Sequence, residues 1–277
     1  MLNELQIGFI GGGQMAEALI RGLLSSKRTT PEKIIVSEPL AERRRYLVET
    51  FAGLKTLADN KTLVREADLI VLAVKPQIIK QVLQEIAPLV ERRHLIISIA
   101  AGIPLAFLER YLPSKTRVIR VMPNTPALVL AGVSAYTGGQ AVSPEDLALA
   151  REFLSGFGVA LELPEYYFDA VTGLSGSGPA FVAAFVEALT DGGVRVGLPR
   201  PVAEKLALET VLGTAKLMLR AQKDPYALKS MVTSPGGTTI AGLKVLAKSG
   251  FNGSVMEAVE EATKRSQELS RLVLEED

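Results

Sequence analysis

The chain has 277 residues, with 31 Lys plus Arg against 30 Asp plus Glu, no cysteine and a single histidine. That length suits two ordinary domains with substantial cores. The balanced charge gives no footprint for nucleic acid and no acidic tail, so small-molecule chemistry is the expectation. Lack of cysteine excludes disulfides, thiolate nucleophiles and thiolate metal sites, and suits a reducing cytoplasmic setting.

No basic n-region precedes the first apolar run, so no signal peptide is expected. The longest later apolar run, residues 179–186, is stopped by Glu187 and Asp191. It falls well short of the roughly 20 residues of a membrane span, and no membrane partner is expected.

In chain order, the apolar run Ile7-Gly8-Phe9-Ile10 enters Gly11-Gly12-Gly13-Gln14-Met15-Ala16, after which Ala18, Leu19, Gly22 and Leu23 recur at helical spacing. This reads as strand, tight turn and helix, matching G-x-G-x-x-A. Gly11 makes the turn, Gly13 lets a pyrophosphate approach the backbone, and Ala16 permits close helix-to-strand packing. A bare glycine pattern is weak evidence, but its place between a strand and an amphipathic helix is what dinucleotide binding requires.

Residues 33–37 read as a second strand ending at Glu38-Pro39, where a ribose 2′-hydroxyl or 2′-phosphate would be recognised. Residues 40–51 read as a helix whose outer face carries Arg43, Arg44 and Arg45. These arginines are read as a solvated face, with phosphate contact as the alternative. A short helix follows Asp59-Asn60. The continuous apolar run 69–74 has the character of a strand covered on both faces, and it ends in Lys75-Pro76. Ligands bind beyond the carboxyl ends of such strands, so residues 73–76 should line the cofactor crevice.

Further strands are expected at 95–100, 117–122, 133–136 and 159–163, with helices at 78–89, 104–111 and 144–154. His94, just before a strand and away from the crevice, is expected at the surface with no catalytic role. No metal site is expected. This alternation places residues 1–164 in one α/β Rossmann-type domain.

Beyond Glu165 the strands stop, and residues 165–277 read as an all-α domain. Gly173-Leu174-Ser175-Gly176-Ser177-Gly178-Pro179 puts small residues around an expected helix kink. The next helix is apolar on all sides, which calls for burial against a second subunit. Near the C-terminus, Val232-Thr233-Ser234-Pro235-Gly236-Gly237-Thr238-Thr239-Ile240 reads as a loop opening a helix. The free N–H groups there can bind a carboxylate without a charged side chain. An ordinary capped turn has the same composition.

Taken together the chain resembles pyrroline-5-carboxylate reductase over nearly its full length. The resemblance is carried by residues 8–16, 73–76, 98–102, 120–126, 173–179 and above all 234–239. It implies reduction of 1-pyrroline-5-carboxylate to L-proline, the last step of proline biosynthesis, by NADPH or NADH (cofactors NADP and NAD). It implies a homodimer through the helical domain, often assembled into a decamer, with the carboxylate loop supplied by the neighbouring subunit.

Carried over by position, the resemblance makes Ile10, Gly11, Gly12, Gly13, Gln14, Met15, Glu38, Asn60, Ala73, Val74, Lys75, Pro76, Ala100 and Ala101 cofactor-binding. It makes Glu165, Ser234, Gly237, Thr238 and Thr239 substrate-binding, with the Thr239 hydroxyl directed at the ring nitrogen as the catalytic group.

Two positions depart from the family. Ser or Thr often stands where this chain has Glu38, and an acidic residue commonly stands where it has Ala247. A carboxylate at position 38 accepts from ribose hydroxyls but is a like charge against a 2′-phosphate. Both coenzymes are therefore expected to work, with NADH used better than the resemblance alone implies.

Three rival readings remain. A hydroxyacid dehydrogenase of the 3-hydroxyisobutyrate type would need a lysine where Val182 stands. A reductase of another cyclic imine carboxylate differs by as little as one methylene, about 1–3 kcal/mol of discrimination. A cofactor-binding sensor without turnover would have no need of the 234–239 loop.

Overall fold

The computed structural model describes residues 2–275. Met1, Glu276 and Asp277, at the outer ends of the two expected domains, lie outside the described residues.

Short runs rich in β-branched residues alternate with amphipathic helices. The order is β1 (Ile7–Ile10), α1 (Gln14–Ser25), β2 (Ile34–Ser37), α2 (Ala41–Thr50), β3 (Lys55–Leu57), α3 (Asn60–Glu66), β4 (Leu69–Leu72), α4 (Ile79–Ile86), β5 (Leu95–Ser98), α5 (Leu105–Tyr111), β6 (Arg117–Met122), β7 (Gly132–Gly138), α6 (Pro144–Leu154) and β8 (Gly158–Glu162). They form one eight-stranded sheet in the order β3-β2-β1-β4-β5-β6-β7-β8. Only the β6–β7 pairing is antiparallel among these strands.

Every residue of β1, β2, β4 and β5 is buried. Two apolar layers account for this. Phe9, Phe153 and Phe157 anchor one face, while Ile70, Leu83 and Ile96 belong to the layer on the other. Continuous apolar runs are what a strand covered on both faces needs. Strand order reverses between β1 and β4, so the carboxyl ends of those strands open a crevice where a doubly wound sheet takes its ligand.

Three local features differ from the sequence reading. Residues 31–33 form a 3₁₀ turn, and β2 starts only at Ile34. The edge strand β3 was not anticipated, because Lys55-Thr56-Leu57 is short and carries no apolar run. His94 is not at the surface: it is 1% exposed. Its Nδ1 accepts the Glu91 N–H at 2.8 Å, which draws the ring under the turn leading into β5.

By packing, the chain forms two compact units: Met1–Gly176 with Ala262–Asp277, and Ser177–Glu261. Residues 165–176 pack with the sheet for identifiable reasons. Phe168, which opens the short helix α7 (Phe168–Val171), is buried. Asp169 accepts from Ser266 Oγ at 2.7 Å and from Ser270 Oγ at 3.3 Å. The expected kink is a π-helical turn over Thr172–Gly176. The Thr172 and Ser175 hydroxyls bond back to the Phe168 and Val171 carbonyls at 2.8 and 3.0 Å, the i−4 pattern that bends helices.

The second unit is built from α8 (Gly178–Arg195), α9 (Arg200–Ala221), α10 (Pro225–Met231), α11 (Thr238–Lys248) and the start of α12 (Phe251–Glu275). Among the described residues, Thr190 is the buried residue of α8, and α11 has none. Val182, Leu206, Leu212 and Val245 are 50%, 53%, 49% and 63% exposed. A single chain therefore leaves much of this unit's apolar surface in water, and a second copy is the natural cover. Light scattering at sub-micromolar protein should give a dimer or larger species, with loss of helical signal if dilution dissociates it. A stable, active monomer would contradict this.

Burial lowers the pKa of His94, Arg93 adds to the effect, and Glu91 and Asp68 oppose it. The folded protein thus holds His94 neutral, while the unfolded chain takes a proton below its ordinary value of about 6.5. This contribution to stability is present above that pH and is lost as pH falls toward the lowered folded value, with a slope of at most ~1.4 kcal/mol per pH unit. Urea midpoints at about pH 7.5 and 5.5 should fall less in His94→Gln than in the native protein. Equal falls would remove His94 as the cause.

Candidate active site

The carboxyl edge of the sheet gathers the coenzyme candidates of the first unit. Gly11 has φ +97°, and a Cβ there would lie 2.6 Å from the Ala73 carbonyl oxygen. No side chain fits that position. Its N–H donates to the Ser37 carbonyl at 2.8 Å, and the Ala73 N–H donates to the Ile10 carbonyl at 2.9 Å. Three strand ends are thereby tied around one turn.

Gly13 is the extended N-cap of α1, carries no capping side chain, and has no atom within 4 Å of where its Cβ would be. Open backbone before uncapped helical N–H groups fits the pyrophosphate of a dinucleotide. Gln14 is exposed and Met15 half-buried in the first turn of α1; Val74 is half-buried, Lys75 is exposed, and Pro76 starts the next turn. Ala100 is buried and Ala101 exposed just beyond β5.

Asn60 accepts from Ser37 Oγ at 2.8 Å and donates to Glu85 at 2.8 Å, so it stands at the end of β2. Glu38, 9% exposed, accepts the Gly12 N–H on Oε2 and the Leu40 N–H on Oε1, each at 3.0 Å. The carboxylate is therefore fixed against the glycine turn.

Arg43 does not belong to a freely solvated face. Its Nε donates to the Gly12 carbonyl at 2.5 Å, and its Nη2 donates to Gly13 O at 3.3 Å and Glu17 Oε2 at 2.7 Å. Its guanidinium lies 4.7 Å from the Tyr46 ring centroid. Arg44 donates to the Glu38 and Pro39 carbonyls at 2.7 and 2.8 Å. Burial alone would raise the Glu17 carboxyl, but hydrogen bonds from Arg43, Arg21 and Tyr46 outweigh it and hold Glu17 below the usual carboxylate range. The sequence signal for this cluster was Glu17, an acid in the first turn of a helix that follows a glycine turn.

Glu165 also lies in the first unit. Its Oε1 accepts the Leu105 N–H at 2.7 Å and Arg120 Nη1 at 2.8 Å. Arg120 is 6% exposed, and its guanidinium sits 4.8 Å from the centre of the Phe168 ring. A buried guanidinium demands a partner, so an arginine inside the apolar run Val118-Ile119-Arg120-Val121 was a readable sign of this pairing. Sequence reasoning did not use it. Asn124, also buried, accepts the Val133 N–H at 2.9 Å and donates to the Ser175 carbonyl at 3.2 Å, joining the loop after β6 to the π-helical turn.

In the second unit, Ser234, Gly237, Thr238 and Thr239 come together at the start of α11. Gly236 takes φ +67°. Gly237 is the extended N-cap, has no capping side chain, and donates its N–H to Ser234 O at 3.1 Å. A Cβ on Gly237 would stand 2.3 Å from Ser234 Oγ, so the serine hydroxyl lies directly over that backbone. Thr238 is exposed and Thr239 half-buried.

Residues 165–269 match the family model described as pyrroline-5-carboxylate reductase dimerisation. Residues 6–102 match the one described as NADP oxidoreductase, coenzyme F420-dependent. The chain is 48% identical to a pyrroline-5-carboxylate reductase of Synechocystis over 97% of its own length and 99% of the relative's. It is 44% identical to one from Methanosarcina acetivorans over 98% of this chain and all (100%) of that one.

Among solved structures, the pyrroline carboxylate reductase of Plasmodium falciparum with NADP bound superposes with a TM-score of 0.88 at 33% identity, covering 98% of this chain and 100% of that one. A pyrroline-5-carboxylate reductase from Coxiella burnetii gives 0.90 at 34% identity, covering 96% and 99%. Identity at this level across nearly the whole length, joined to a glycine turn at the sheet's switch point and a glycine-capped helix in an all-helical unit, settles the assignment: the chain belongs to the pyrroline-5-carboxylate reductase family, NAD(P)H-dependent oxidoreductases of proline biosynthesis.

Proposed function

We propose that the two units divide the reduction of 1-pyrroline-5-carboxylate to L-proline between them. Gly11, Gly12 and Gly13, with Ile10, Gln14 and Met15, take the pyrophosphate of NADPH or NADH. Glu38 and Asn60 serve the adenosine ribose, and residues 73–76 with Ala100 and Ala101 serve the rest of the dinucleotide. When bound, the reduced nicotinamide supplies the hydride.

The chain's own contribution is to hold the imine and manage its nitrogen. The substrate carboxylate sits on the N–H groups of Gly237, Thr238 and Thr239, with the Ser234 hydroxyl assisting, in the loop that the neighbouring copy of the chain supplies. The Thr239 hydroxyl bonds the ring nitrogen, fixing the imine carbon for attack and keeping the proton that the amine of proline retains. Glu165 contacts the substrate through Oε2, since Oε1 is committed to Arg120 and Leu105.

The observation that carries this reading is the glycine N-cap at Gly237. The helix it starts has no capping side chain, Ser234 leans over it, and a threonine hydroxyl follows on each of the next two residues. An anionic substrate end supplies what such a terminus lacks.

We place the assembly as a homodimer through the helical region, built further into a decamer. We place the reaction in the cytoplasm, which a sequence without cysteine suits.

Loss of the Thr239 hydrogen bond should remove about 1–3 kcal/mol of transition-state stabilisation, a fall in turnover of about five-fold to over a hundred-fold. Steady-state kinetics of Thr239→Ala against Thr239→Ser test this, with the serine variant expected to keep most of the rate. Unchanged turnover and saturation in Thr239→Ala would take the residue out of the mechanism.

A further inference from the structure

The backbone of one glycine is held between side chains of opposite charge. The Gly12 N–H is held by the Glu38 carboxylate at 3.0 Å, and the Gly12 carbonyl by the Arg43 guanidinium at 2.5 Å. The two groups face different forms of the same ligand. A carboxylate at the end of β2 accepts from the ribose hydroxyls of NADH and repels the 2′-phosphate of NADPH. A guanidinium is the planar, permanently charged complement of a phosphate.

The two also differ in freedom. Glu38 is buried, and both of its oxygens are bonded to backbone N–H groups, so displacing it leaves Gly12 and Leu40 without their acceptor. The Arg43 side chain is 24% exposed and is held by carbonyl oxygens and by Glu17. If Arg43 leaves, Glu17 still has Arg21 at 3.0 Å and the Tyr46 hydroxyl at 3.1 Å, so no carboxylate is stranded. The arginine therefore has a resting partner that can release it.

We propose that Arg43 is the residue through which this chain accepts a 2′-phosphorylated coenzyme: its guanidinium exchanges Glu17 for the 2′-phosphate of NADPH, while Glu38 stays on Gly12 and serves the ribose hydroxyls of NADH. Glu17, with Arg21 and Tyr46, is a positioning group that sets how readily the exchange occurs. The proposal rests on the reading of the glycine turn as the coenzyme site.

Titration calorimetry with 2′,5′-ADP and with 5′-ADP on the full-length protein isolates the 2′-phosphate from turnover. Arg43→Leu keeps an apolar side chain against Tyr46. It should weaken 2′,5′-ADP by about ten-fold or more, the loss of one charge-assisted hydrogen-bonded pair, and leave 5′-ADP within about two-fold. Glu17→Gln removes the competing carboxylate and should tighten 2′,5′-ADP several-fold while leaving 5′-ADP unchanged, roughly the reverse of the first effect. In kinetics, KM for NADPH should rise in Arg43→Leu with kcat preserved.

Equal weakening of both nucleotides in Arg43→Leu would mean that Arg43 only packs the turn, and no change in either would mean that it meets no phosphate; each result overturns the proposal. If the native protein bound neither nucleotide, the coenzyme reading beneath it would fall as well.

Discussion

The molecule is organised around the two helices whose N-cap is an extended glycine, α1 and α11. The first N–H groups of any helix lack intrahelical partners, and a polar N-cap side chain is one way to meet the need. Asp59, Ser143 and Asp224 do so at the starts of α3, α6 and α10. At α1 and α11 the N-cap is Gly13 or Gly237 without a capping side chain, and a left-handed glycine, Gly11 or Gly236, stands close before it. One such terminus lies at the switch point of the sheet, the other in the helical unit. An enzyme that binds a pyrophosphate and a carboxylate needs two anion sites, and in the function proposed each of these termini is one.

Several charged side chains of the first unit are tied down. Glu165 and Arg120 neutralise one another beside Phe168, Glu38 is bonded to two backbone N–H groups, and Arg43 spans the glycine turn to Glu17. Arrangement of this kind favours a fixed geometry over strong electrostatic attraction. It suits a reaction whose requirement is to hold a ring against a hydride donor with one proton correctly placed.

Much of this was legible in the residues. The strand-turn-helix at residues 7–25, the buried parallel strands and the passage to an all-helical region follow from apolar periodicity and glycine placement. Two of the features that the residues did not reveal share a physical cause: side chains acting away from where their backbone lies. Arg43 is on the outer face of α2 by periodicity, yet its arm reaches back to the turn after β1. His94 follows the charged run Glu91-Arg92-Arg93, which reads as surface, but one hydrogen bond from Glu91 draws its ring inward. Strand β3 owes its existence to the edge of β2 and not to its own composition. The kink near Gly176 was visible as a cluster of small residues, whereas its π-helical form depends on the Thr172 and Ser175 hydroxyls bonding back to the previous turn.

A dinucleotide and a cyclic imine carboxylate are brought to reaction by this one chain and its copies. The most direct measurement follows coenzyme oxidation and L-proline formation together, in the native protein supplied with 1-pyrroline-5-carboxylate and either NADPH or NADH. Turnover with both coenzymes is expected, with one proline formed per coenzyme oxidised. Coenzyme oxidation without proline, or no turnover with either coenzyme in folded, assembled protein, would contradict it.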